Sequence, residues 1–174
     1  MVAGGATTGS PYHFDLRPGG ARESCPMPST HTSLHYHIVF STKHREPWFP
    51  PPFRSRLHAY LGGVIRGLDG IPHAIGGVQD HVHILAGLKP VHRLSDMMRE
   101  VKADSSRWIK DELRRNAFAW QEGYGAFTFG APDLENVRRY VLNQEEHHRT
   151  RSFQEEYLDL LQRGLVEYKE DHLW

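Results

Sequence analysis

The sequence predicts an α+β fold with a ferredoxin-like (RRM-like) antiparallel sheet, helices packed on one face of that sheet, and a C-terminal helical extension. Two observations support this. Segments with strand character and segments with helical periodicity follow one another in the order β-α-β-β-α-β-α. The two central strands are separated only by a tight turn, which makes them antiparallel neighbours. A chain of 174 residues suffices for one such domain with short extensions.

The first half of this fold is read from residue type and periodicity. Segment 34–42 is rich in aromatic and β-branched residues and predicts a strand. Leu57, Leu61 and Ile65 lie at helical spacing after a proline-rich break. The predicted elements are a strand over 34–42, a helix over 53–68, and strands over 71–78 and 81–88 joined by a turn at Gln79 and Asp80.

The second half contains more helix. Asp133 is a residue type that caps helices, and the pattern after it predicts one helix to about His148. The predicted elements are a helix over 95–115, a short strand over 126–129, the helix from Asp133, and a last helix over 153–163 that Gly164 ends.

The chain divides into three predicted segments. Residues 1–30 are rich in Gly, Pro, Ser and Thr and are expected to be a disordered extension, with Met27 as an alternative start. Residues 31–150 form the main domain, and 151–174 form the C-terminal helical extension.

The net charge and composition limit the classes of ligand and partner that the protein is expected to bind. The formal net charge is zero, which argues against a protein that grips long duplex through many phosphates and favours a short or single-stranded ligand or local basic patches. One cysteine, Cys25, excludes an intramolecular disulfide and a multi-cysteine metal site. No apolar stretch approaches the roughly 20 residues that span a bilayer, and no secretory signal is seen, so we expect a cytoplasmic protein without a membrane partner.

A histidine pair on the predicted third strand is the strongest candidate for a functional site. Strand side chains alternate between faces, so His81 and His83 point one way while Val82 and Ile84 point the other. Two imidazoles at this spacing can share one metal ion. The pair alone is also compatible with a strand that has two polar residues on its solvated face.

A tyrosine and a glutamine share one side of the helix after Asp133. Tyr140 and Gln144 are four residues apart and therefore lie one above the other. They border an apolar stripe formed by Leu134, Val137 and Val141. In isolation, a packed ring with an exposed hydroxyl is the more common role for such a tyrosine.

Taken together in order, these segments resemble the one-tyrosine HUH (His-hydrophobic-His) transposases of the insertion-sequence 200/605 family, which act on single-stranded DNA. The resemblance runs from about Ser33 to the C-terminus. The segments that carry it are HIVFSTK (37–43), DHVHIL (80–85), WQEGYGAF (120–127) and YVLNQ (140–144).

The resemblance implies an enzyme and its site. Tyr140 would be the nucleophile, and His81, His83 and Gln144 would hold Mg²⁺ or Mn²⁺. The activity would be cleavage and rejoining of single-stranded DNA with hairpin ends, through a 5′-phosphotyrosine intermediate, in a homodimer. Residues 31–150 would then be the catalytic domain.

A set of cations is predicted to contact DNA phosphates. They are Lys43, Arg45, Arg99, Lys102, Arg107, Lys110, Arg138 and Arg139. Trp48 and Phe49 are candidates for stacking on unpaired bases. Acidic neighbours on the 95–115 helix leave a simple solvated face equally compatible with its pattern.

Two other functions stay open from the residues. One is a non-catalytic or domesticated nucleic-acid-binding module on the same scaffold. The other is a metal-dependent phosphodiesterase that uses water with His81 and His83. Within the main hypothesis, Tyr124, Tyr36 and Tyr157 are rival nucleophiles of lower rank.

Overall fold

A computed structural model of the chain describes residues 31–169 and 173. The predicted disorder of residues 1–30 and the alternative start at Met27 lie outside the described residues. Within them, no helix is both long and apolar enough to cross a membrane. The division at residue 150 stays a prediction.

One four-stranded antiparallel sheet forms the centre of the fold, in the order β2-β3-β1-β4. This is the ferredoxin-like order that the sequence predicted. The strands are β1 (His35–Ser41), β2 (Ile71–Gly77), β3 (His81–Gly87) and β4 (Gly125–Thr128). β3 lies between β1 and β2, so its histidines are held by hydrogen-bonded neighbours on both sides.

Two long helices cover one face of the sheet and enclose the main apolar core. They are α1 (Pro51–Gly67) and α2 (Leu94–Leu113). Val82 and Ile84 of β3 point into this core, as their alternation with the histidines predicted. Phe49 is also fully buried here, so the prediction that it stacks on DNA bases is wrong, whereas Trp48 is half-buried against Phe118.

Three shorter helices cover the opposite face. They are α3 (Leu134–Leu142), α4 (Gln144–His147) and α5 (Phe153–Arg163). α3 packs through Val141 on Ala74 and Leu85, and α5 packs through Phe153 and its apolar stripe on Val39.

The predicted single helix from Asp133 to His148 is wrong in two details. Asp133 lies in a short 3-10 turn and makes no side-chain capping hydrogen bond. The helix also breaks at Asn143, whose φ/ψ of −99° and 23° is outside the helical range. The apolar stripe on which the prediction of one helix rested ends at Val141. After Val141, buried polar contacts determine the path of the chain.

Gly76 allows α3 to approach the sheet closely. It pairs with His83 across the β2–β3 ladder. A Cβ atom at position 76 would overlap the carbonyl oxygen of Val141. Only glycine at this position of β2 therefore allows the backbone of α3 to pack so closely on the sheet, next to the strand that carries the histidines.

We expect Gly76→Ala to lower the free energy of unfolding by about 1–3 kcal/mol, because α3 must move away from β2. Gly63→Ala is the matched control. Gly63 is exposed inside α1 with open space around it, so an added methyl should raise stability by about 0.5–1 kcal/mol. Urea denaturation of both variants measures this; equal stability of Gly76→Ala and the wild type would contradict the close packing.

Candidate active site

The two histidines of β3 lie buried on the face covered by α3, α4 and α5. His81 is 1% exposed and His83 is 0% exposed. The Nδ1 atom of His81 lies 2.8 Å from Asp80 Oδ1, and the Nδ1 atom of His83 lies 2.9 Å from His37 Nε2. Both Nε2 atoms are buried without a hydrogen-bond partner. Outer partners on Nδ1 with free Nε2 atoms are the usual arrangement of metal-binding histidines.

Tyr140 of the same chain reaches these histidines. Its ring centroid lies 5.9 Å from that of His83 and 5.7 Å from that of His37. Its hydroxyl donates a hydrogen bond to Oε1 of Glu156. Gln144, one turn further along the chain, is 1% exposed and places its Nε2 atom 3.2 Å from the same oxygen. The structure thus brings together in one chain the tyrosine, the glutamine and the histidine pair.

Glu156 is the residue at the centre of the site, and sequence reasoning missed it. It lies on α5 and is 1% exposed. The signal was its position on the apolar stripe of α5, three residues after Phe153 and directly before Tyr157, where a charged residue needs buried partners.

Two further histidines reach Glu156 from the chain after α3. The Nε2 atom of His148 lies 3.1 Å from Oε2, and that of His147 lies 3.4 Å from Oε1. Adjacent histidines on a continuous helix would diverge by about 100°. They reach the same carboxylate because His148 lies beyond the last residue of α4 and meets the other oxygen.

The electrostatics of the site favour an ionised carboxylate beside the neutral imidazoles of His83 and His37, whereas the contact with Glu156 raises the pKa of His148. Burial alone would raise the pKa of Glu156, but the neighbouring His148 and His83 outweigh it and hold that pKa well below its usual range. Burial lowers the pKa of His83 to about 4 and, together with His83, lowers the pKa of His37 to about 3. Neutral imidazoles are the form that binds metals.

The Tyr140 hydroxyl is protonated in this conformation. Burial, followed by the negative charge of Glu156, raises the pKa of the phenol. The proton is the one that it donates to Glu156. The tyrosine needs a compensating positive charge before it can react as a phenolate.

The residues could hold a metal ion. One ligand atom from each of His81, His83, His148 and Glu156 lies within 4.8 Å of the others. Several of these atoms are buried without a satisfactory hydrogen bond, namely the Nε2 atoms of the three histidines and Oε2 of Glu156. Since orphaned buried polar atoms are costly, donors that converge in this way suit a bound cation.

The predicted DNA-contacting cations fall into two groups. Arg99, Lys102, Arg107 and Lys110 lie on α2, which covers the sheet face opposite to the histidines. Lys102 donates to the carbonyl oxygens of residues 121, 122 and 123, and burial lowers its pKa to about 8. Its ammonium group is therefore engaged within the fold rather than free for phosphate.

The other group lies on the histidine side. Lys43 and Arg45 line a cleft of about 630 Å³ that Phe153 also lines, and the Phe153 ring lies 4.5 Å from that of His81. Arg138 and Arg139 are exposed on α3 directly before Tyr140. Among the rival nucleophiles, Tyr36 packs into the core on the opposite face and Tyr157 packs on Phe153.

Comparisons with known proteins identify the family of the chain. A family model described as "Transposase IS200 like" matches residues 30–144, and no curated protein matches the chain. A crystal structure of a Deinococcus radiodurans R1 protein described as a transposase is similar, with a TM-score of 0.54 and 21% identity over 66% of this chain and 93% of that chain. A second similar structure is a REP-associated tyrosine transposase bound to a REP hairpin, with a TM-score of 0.48 and 14% identity over 62% of this chain and 64% of that chain. Because the family model covers most of the chain, the protein belongs to the IS200-like transposase family.

Proposed function

We propose that this transposase cleaves and rejoins single-stranded DNA with Tyr140 as the nucleophile and a metal ion bound at His81 and His83. The observation that carries the proposal is the meeting of Tyr140 with the histidine pair in one buried cluster of one chain. Because the two meet within one chain, the contact supports an arrangement in which Tyr140 acts together with the histidines of its own chain.

The histidine pair supplies two metal ligands through its free Nε2 atoms. Gln144, whose Oε1 atom is buried and unpaired, is proposed as a third ligand when DNA is bound. Mg²⁺ or Mn²⁺ held by these residues would polarise the scissile phosphate and offset the charge that builds on it.

The proposed reaction is an exchange of phosphodiester bonds at the Tyr140 oxygen. The Tyr140 oxygen forms a bond to phosphorus while the bond from phosphorus to the 3′-oxygen breaks, the phenol loses its proton, and the leaving 3′-oxygen takes up a proton in its place. The products are a 5′-phosphotyrosyl link and a 3′-hydroxyl. A phosphodiester is exchanged for a phosphodiester, so rejoining to a new 3′-hydroxyl is the same step in reverse and needs no nucleotide cofactor.

DNA entry requires movement of α5. His81, His83 and Gln144 are at most 1% exposed, and α5 lies over them through Phe153 and Glu156. The cleft beside Lys43 and Arg45 leads towards Phe153 and is the proposed path of the strand. Hairpin ends on the DNA and a homodimer remain proposals that follow from the family resemblance.

Tyr140→Phe should abolish the covalent protein–DNA adduct while DNA binding persists, because it removes only the attacking oxygen. The measurement uses labelled single-stranded hairpin DNA, Mn²⁺ and a denaturing gel. Tyr60→Phe is the control and should form the adduct at the wild-type level, since the Tyr60 ring stacks on Trp108 between the two helices that cover the opposite face of the sheet.

The same gel separates the alternative functions. Cleavage that persists in Tyr140→Phe would identify a phosphodiesterase that uses water. Binding without an adduct or cleavage in the wild type, with the metal site occupied, would identify a non-catalytic binding module.

Asp80→Ala should weaken Mn²⁺ binding about 10–100-fold, because Asp80 accepts the Nδ1 proton of His81 and keeps Nε2 free for the metal. Isothermal titration calorimetry with Mn²⁺ measures the change. Asp104→Ala, which removes a surface partner of Arg107 on α2, should leave it unchanged. An unaltered affinity in Asp80→Ala would show that this contact does not orient the ligand.

A further inference from the structure

We propose that His148 and Glu156 complete the metal site of the DNA-free protein, giving three imidazoles and one carboxylate oxygen that select a transition-metal cation over Mg²⁺. The inference rests on the proposed function, because it concerns the ions that the same histidine pair holds. Both residues lie beyond residue 144, where the match to the family model ends.

The two oxygens of Glu156 face different groups. Oε2 lies 3.3 Å from His83 Nε2, 3.1 Å from His148 Nε2 and 4.0 Å from His81 Nε2. Oε1 instead accepts the Tyr140 hydroxyl and faces the Gln144 amide. One oxygen is therefore directed at the imidazoles, while the other holds the tyrosine.

The distances suit one small cation. A metal ion with bonds of about 2.0–2.1 Å in tetrahedral geometry separates its ligand atoms by roughly 3.3 Å. Two of the distances to Oε2 are near this value, and the distance of 4.0 Å from His81 Nε2 is longer. Because the four ligand atoms lie within 4.8 Å of one another, metal binding requires the more distant pairs to close. The three Nε2 atoms and Oε2 are buried without a hydrogen bond of good geometry, and a cation shared among them would satisfy all four.

The donor set decides the class of metal. Mg²⁺ requires oxygen ligands in near-octahedral geometry and retains its waters, so a site with three imidazoles serves it poorly. Imidazole with one carboxylate suits Zn²⁺ and related first-row cations. The site should therefore prefer Zn²⁺, Co²⁺ or Mn²⁺ to Mg²⁺.

Four protein ligands would fill a tetrahedral shell. A DNA phosphate can then reach the metal only when a protein ligand leaves. Glu156 is the ligand carried by α5, and the same helix covers the histidines. Displacement of Glu156 would uncover the metal and release the Tyr140 hydroxyl in one movement.

The test is metal binding by the full chain without DNA. Zn²⁺ titration is followed for the wild type, Glu156→Gln, His148→Gln and His83→Gln, with thermal melting of each variant to confirm folding. Glu146→Gln and His44→Asn are matched controls at exposed positions. X-ray absorption of the Zn²⁺-loaded wild type counts imidazole ligands directly and does not depend on any variant.

We expect Glu156→Gln and His148→Gln each to weaken Zn²⁺ binding by about tenfold or more, both controls to bind like the wild type, and Mg²⁺ to compete poorly. The absorption spectrum should show three imidazoles and one further light ligand. Two imidazoles, or unchanged affinity in Glu156→Gln and His148→Gln, would overturn this inference while leaving the proposed function intact. An unchanged Zn²⁺ affinity in His83→Gln would contradict the metal site on which both proposals depend.

Discussion

The buried carboxylate of Glu156 is the constraint on which the histidine side of the molecule depends. An ionised carboxylate loses several kcal/mol of solvation on burial, which only close donors or a cation can offset. The groups that face it come from β3, α3 and the chain around α4: His83, Tyr140, Gln144, His147 and His148. These elements therefore meet at one charge, and the Tyr140 hydroxyl is held beside the histidines of β3 because that charge accepts its hydrogen bond.

The two faces of the sheet have different tasks. The face under α1 and α2 is apolar and stabilises the fold through a continuous core that includes Val82 and Ile84. The other face carries His81 and His83 from the same strand, and there the apolar packing forms two smaller clusters, around Val39 and around Val141. Because side chains alternate along β3, the same strand contributes to the apolar core and to the candidate site. Gly76 allows the helix that carries Tyr140 to approach the sheet closely.

Much of this arrangement could be predicted from local pattern. Strand alternation predicted the common direction of His81 and His83, and helical spacing predicted that Tyr140 and Gln144 share a side. The docking of the two pairs came from the family resemblance, because periodicity says nothing about which helix meets which strand. Glu156 escaped notice because its partners lie far away in sequence. The break at Asn143 and the internal role of Lys102 escaped it because both are set by tertiary contacts, which override local propensity.

The most direct test of the account is to map the covalent adduct to a residue. After reaction with single-stranded hairpin DNA and nuclease trimming, trypsin should release the peptide 140–149, which begins at Tyr140 after cleavage at Arg139. Mass spectrometry should find the nucleotide on Tyr140 of that peptide. A nucleotide on Tyr124 or Tyr36, or cleaved DNA with no nucleotide on the protein, would contradict the assignment of Tyr140 as the nucleophile beside the histidine pair.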